Sequence, residues 1–139
     1  MINYSVNLVG VAVAAVLAMA VGFIWYGPLF GKEWMKLMGK SKEQFEKEKA
    51  GSNMGMMYGI AFIGALVTAF VLSVFISSLE ATSLAGGAMV ALWAWVGFIL
   101  TVTGMNALFM KTPKKLFYID VFHHLAAFLV MGAVIGMIG

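Results

Sequence analysis

The chain has 139 residues, of which 63% are hydrophobic and 11% charged, with a mean hydropathy of +0.97. A soluble domain usually carries roughly a quarter charged residues, so a fully water-facing surface is excluded and a single membrane-embedded domain is expected. There is no Cys, which excludes disulfides and thiolate metal sites, and the net charge of +3 is gathered in two lysine clusters.

Four apolar runs, about residues 4–26, 53–78, 84–110 and 116–138, are each long enough to span. The hydrocarbon core of a bilayer is about 30 Å thick and takes roughly 20 helical residues to cross. The runs are continuous rather than alternating, which rejects a β-barrel. The expected fold is an all-α bundle of four transmembrane helices. Ala18-Met19-Ala20 resembles a signal-peptidase site behind the apolar stretch Leu8–Leu17. A signal peptide also wants a basic leader, and no Lys or Arg precedes Lys32, so the first helix is expected to be retained.

No acidic or basic side chain precedes Trp25-Tyr26-Gly27-Pro28-Leu29-Phe30-Gly31-Lys32-Glu33-Trp34, and six lysines follow between Lys32 and Lys49. This stretch is where the chain leaves the apolar phase. Trp25 and Tyr26 suit the headgroup level. Gly27 and Pro28 should end the first helix, because the residue before proline disfavours helix. Phe30 and Trp34 then turn the chain along the membrane. Trp25, Tyr26, Gly27, Pro28, Phe30 and Trp34 read as an interfacial anchor, or alternatively as a cap over a polar inner site.

The loop at about 32–50 should be helical and amphipathic. Trp34, Leu37 and Met38 lie opposite Glu33 and Lys36, Gly39 can end that piece, and Ser41 with Gln44 reads as a capping box. It can lie on an anionic leaflet with Trp34 and Phe45 dipped in, or dock a partner. Lys111, Lys114 and Lys115 fall in the third loop, while the N-terminal tail and the Leu79–Ser83 turn have no lysine. Short lysine-rich loops stay in the cytoplasm, so both termini are expected on the outer side of the cell membrane.

Small residues recur at helix-packing spacing: Gly10, Ala14, Ala18 and Gly22 on the first span, Gly55 and Gly59 on the second, and Gly132 and Gly136 on the fourth. Such stripes let backbones approach closely; one of them can serve a homodimer. The two halves share a weak plan of helix, basic loop with Pro28 or Pro113, and helix. Trp93 and Trp95, two apart, point to nearly opposite faces, so only one can line a pocket.

Ionisable groups inside a span are costly and mark candidate sites. Here they are Asp120, His123 and His124, with Asn106 near the end of the third span. Asp120 and His124 are spaced i, i+4 and share a helix face. Adjacent histidines lie about 100° apart, so the pair cannot easily converge on one site. The arrangement suits a proton relay or gate, a structural hydrogen bond, or metal ligation. A closed zinc site needs four ligands, and no Glu-x-x-His pair occurs in a span. Met54, Met56 and Met57 offer thioethers to Cu(I) but read as packing filler; no metal or cofactor is the leading expectation.

There is no P-loop, dinucleotide fingerprint or nucleophile elbow, which points away from an enzyme. Lysines interleaved with glutamates and no arginine point away from nucleic acid. The Trp25–Gly31 motif with Trp34, Met38-Gly39, Ser41 and the polar start of the last span through His124 resembles the domain-of-unknown-function 1761 family of small bacterial and archaeal integral membrane proteins. That resemblance implies four spanning helices and carries no catalytic residue over. The leading functional expectation is a structural or accessory membrane protein that oligomerises or joins a larger complex. The alternatives are a small homodimeric transporter or channel gated near Asn106, Asp120 and His124, and a metal- or haem-binding protein using His123 or His124.

Overall fold

The computed structural model describes residues 1–139 and contains helices only. Helix α1, Leu8–Ile24, runs into a five-residue π-helical turn, Trp25–Leu29. Two short helices follow, α2 at Gly31–Leu37 and α3 at Lys42–Gly51. Helix α4 spans Met54–Ser78. Helix α5, Leu84–Ala94, passes through a π-helical segment, Trp95–Leu100, into α6, Thr101–Phe109. Helix α7, Lys114–Ile138, ends the bundle. Four continuous rods of 22 to 26 residues are therefore long and apolar enough to cross a membrane. At about 1.5 Å per residue the shortest is roughly 33 Å long, which clears the hydrocarbon core.

The ends of the rods follow local hydrogen-bond chemistry. The first helix begins at Leu8 rather than Tyr4, because the Asn7 side chain accepts from the Val9 and Gly10 amides at 3.0 and 3.3 Å. An apolar run does not register this N-cap, which satisfies otherwise orphaned donors. Gly27 and Pro28 do not end the helix. The Phe30 amide donates to Trp25 O, five residues back, at 2.9 Å, and this wider turn tolerates the N–H that Pro28 lacks. The break comes at Phe30, with φ −124° and ψ 7°.

Gly31 then has to be glycine: a Cβ there would lie 2.6 Å from Tyr26 O. Gly39, at φ +72°, closes α2. The capping box at Ser41 and Gln44 is formed, at 3.2 and 3.0 Å. Glu80 and Lys111 take the same left-handed position after α4 and α6. Each helix end is closed by a bond from the next amide: Ala81 to Ile76 O and Thr112 to Ala107 O, both at 3.0 Å. Pro28 and Pro113 are not equivalent breakers, since Pro28 lies inside a π turn and Pro113 starts α7.

Helix α7 is the central element and packs against α1, α4 and α5. A single core joins Val11 and Ala14 of α1, Ala69, Leu72 and Ile76 of α4, Ala91 and Ala94 of α5, and Met131 and Ile135 of α7. This core lies toward the end of the bundle opposite the lysine-rich loops. The closest crossing is α5 on α7. A Cβ on Gly132 would sit 2.6 Å from the Ala91 Cβ, and one on Gly136 would sit 3.0 Å from the Gly87 Cα. Gly87 completes this contact and was not part of the expected stripes. On α1, Gly10 faces Ile138 and Ala14 is buried, as close packing requires.

The α4 glycines behave differently. Gly59 has no neighbour within 4 Å of a Cβ position, and Gly55 meets only its own N-cap Asn53. Within this chain neither is a packing residue. At the lysine-rich end every residue from Gly55 to Ala61 is exposed, so α4 leaves the bundle there and a cavity opens beside it.

Candidate functional site

The π turn after α1 aims two aromatic side chains at α7. The Trp25 indole N–H donates to Ile119 O at 2.9 Å, and the Tyr26 hydroxyl donates to Asp120 Oδ1 at 2.6 Å. From the other side, at the start of the second π segment, the Trp95 indole N–H donates to Val121 O at 3.0 Å. Residues 119, 120 and 121 are thus held from two directions, each carbonyl offering a second lone pair beside its helical bond. The π-helical turns recur at functional sites because the extra residue re-aims side chains. Trp95 is only 6% exposed and Trp93 is 67% exposed, so the two indoles do point apart.

The histidines also diverge. His123 turns inward, its ring centroid 4.9 Å from Tyr26 and 6.3 Å from Trp25. Its Nε2 lies 3.4 Å from where a Gly22 Cβ would stand, so Gly22 makes room for the ring. Its Nδ1 is enclosed and has no hydrogen-bond partner. His124 is exposed beside it, ring centroids 5.0 Å apart. Asp120 bonds to Tyr26 and not to His124, although the i, i+4 spacing allows either; the tyrosine hydroxyl reaches it first. Asn106 is exposed on α6 and makes no side-chain bond to this group, so the structure brings together Asp120, His123 and His124 but leaves Asn106 apart.

An aromatic chain ties the junction to the loop helices. Phe30 packs on Trp25 at 4.8 Å, Trp34 on Tyr26 at 5.7 Å, and Phe45 edge-on to Trp34 at 5.7 Å. Glu33 of α2 pairs with Lys115 of α7 at 3.2 Å. The aromatic members of the junction, Trp25, Tyr26, Phe30 and Trp34, thus join α2 and α3 to the π turn, while Gly27 has no neighbour within 4 Å of a Cβ position.

Between α1, α3, α4 and α7 lies a cavity of about 930 Å³. Its polar end presents Tyr26, His123, His124, Lys40 and Lys49, and the remainder is walled mainly by apolar residues such as Ala65, Phe128 and Met131. Lys40 bonds Glu48 at 2.6 Å, and the Lys49 ammonium sits 5.4 Å above the Phe45 ring. Sequence reading missed both lysines as cavity residues, because only the tertiary placement of the segment from Lys40 through α3 puts them at the cavity. Met54 and Met57 line the same cavity, but no three His, Asp or Glu side chains are grouped to hold a metal ion.

A family model described as protein of unknown function (DUF1761) matches residues 9–136. The chain belongs to this family. The match runs from α1 to α7 and includes both π segments, the aromatic junction and the Asp120–His124 cluster. No curated protein and no solved structure matches the chain. What is established is a small multi-pass membrane protein of the DUF1761 family, with four apolar helices and a polar cluster at the lysine-rich end.

Proposed function

We propose that the protein is a structural or accessory component of a prokaryotic cell membrane, assembling with a second copy or with other membrane subunits through α4. The observation that carries this reading is the unpartnered face of α4. Met56, Ile60, Ile63 and Val67 are each about 60% exposed, with values of 61%, 60%, 60% and 59%, and Gly59 lies among them with nothing near. Small residues in spans ordinarily mark close helix contacts. The polar groups of α7 support the same reading, since the bonds from Trp25, Tyr26 and Trp95 hold helices in place. Both termini lie outside and the lysine-rich loops in the cytoplasm, as lysine placement demands.

The test uses the absence of cysteine. Gly59→Cys in native membranes should give a disulfide-linked dimer or a crosslink to a foreign subunit, and gentle extraction should give a complex heavier than one chain. A lone monomer with no crosslink overturns the reading. A second reading is favoured by His123, whose Nδ1 is enclosed and unpartnered, and His124 lining the cavity: a small homodimeric transporter whose inner site uses Asp120, His123 and His124. Proteoliposome flux that survives both Asp120→Asn and His124→Ala removes it.

A further inference from the structure

We propose that the cavity between α1, α3, α4 and α7 is a binding site for an anionic membrane phospholipid, holding one acyl chain with the headgroup at Lys40 and Lys49. The inference goes beyond assembly through α4, whose exposed stripe is a different face.

Shape is the first argument. The cavity is lined from Met54 to Thr68 of α4, a stretch with about 21 Å of helix rise. Its volume of about 930 Å³ lies within the ~300–1,000 Å³ range of small-molecule sites. A spanning helix of a second copy needs about 30 Å, longer than the groove. Such a helix would also meet Phe45 and Lys49 of α3 at one end and the core at Met131 at the other. A lipid tail can end beneath α3.

Polarity is the second argument. One end of the cavity is apolar, lined by Ala18, Ala65, Phe128 and Met131. The other end collects Lys40, Lys49 and His124 with one lining acid, Glu48, and Tyr58 adds a hydroxyl; the Tyr26 hydroxyl is already bonded to Asp120. Lys40 already has Glu48, while Lys49 has no carboxylate partner, only the face of Phe45. An anionic phosphate meets that ammonium and the Tyr58 hydroxyl, and its chain follows α4 toward the core. The His123 side chain lies in the wall of the same cavity.

The experiment is native mass spectrometry of the full chain in neutral detergent, titrated with phosphatidylglycerol, phosphatidylcholine or palmitate. One phosphatidylglycerol should bind per chain. The double change Lys40→Gln with Lys49→Gln should weaken it about tenfold, on the scale of surface lysines at anionic lipid. The same charge change at Lys42→Gln with Lys47→Gln, both exposed and outside the cavity, should alter it by no more than about twofold. Ala61→Phe, an exposed lining position, should abolish the bound chain while unfolding stays unchanged. Equal binding of phosphatidylcholine, equal loss in the two lysine pairs, or full binding to Ala61→Phe overturns the proposal. Displacement by equimolar palmitate makes the occupant a free fatty acid and overturns it as well.

Discussion

Tyr26 and Asp120 meet at 2.6 Å across 94 residues of sequence, and the bond answers a problem that the bilayer poses to any carboxyl carried on a spanning helix. A polar group in a span is costly until it finds a partner. Removing the hydroxyl leaves the carboxyl without its donor. Tyr26→Phe should therefore destabilise the protein by about 1–2 kcal/mol, read by reversible unfolding in mixed micelles. Trp95→Phe removes the bond to Val121 O and part of a buried indole, so a loss of at least about 1 kcal/mol is expected. Trp93→Phe, on the exposed face, should leave the midpoint unmoved, and equal losses at both positions would contradict the assigned roles. At this scale the sequence was partly legible. Asp120, His123 and Tyr26 stand out as polar groups in or beside apolar runs, but no spacing rule tells that Asp120 turns to Tyr26 rather than His124. That choice depends on where the π turn aims the tyrosine.

Element by element, glycine shows how one residue type takes opposite roles. At the α5–α7 crossing the helices approach so closely that a Cβ on Gly132 would strike the Ala91 Cβ at 2.6 Å. Gly132→Ala should push α5 and α7 apart and cost about 1–3 kcal/mol, the usual penalty of overpacking. Gly59→Ala meets nothing within 4 Å and removes a flexible residue from a helix, which should stabilise the isolated chain by about 0.5–1 kcal/mol. Mixed-micelle unfolding of the two variants checks both signs. In α3 the cap is local: Ser41→Ala should weaken that helix by about 1 kcal/mol, seen as faster amide exchange at Glu43 and Gln44 with the spanning helices unaffected. The capping box was readable from Ser41 and Gln44 alone because it is a four-residue interaction. The small-residue stripes were readable as surfaces but not as contacts, since which helix faces a stripe is a property of the assembled bundle.

For the whole molecule, the outward apolar faces need lipid, and the asymmetry of lysine predicts that both termini face outward. Because the chain has no cysteine, single exposed substitutions report sidedness. An impermeant maleimide applied to intact cells should label Ser5→Cys and Thr82→Cys and spare Glu46→Cys. Labelling of Glu46→Cys alone would invert the orientation. The bundle is tight where α1, α4, α5 and α7 share a core and open where α4 diverges, so its polar chemistry and its free volume lie at the same end.

Membrane residence, the number of spans and the helical, capped loop were all determined by sequence, because hydrocarbon thickness, helix rise and short-range hydrogen bonds act on contiguous residues. The tertiary structure decided that Pro28 is absorbed in a π turn, that Trp95 and Gly87 grip α7, that Gly59 is free, and that Lys40 and Lys49 reach the cavity. Each of these depends on the distance between segments remote in the chain, and only the packing of one helix against another sets that distance.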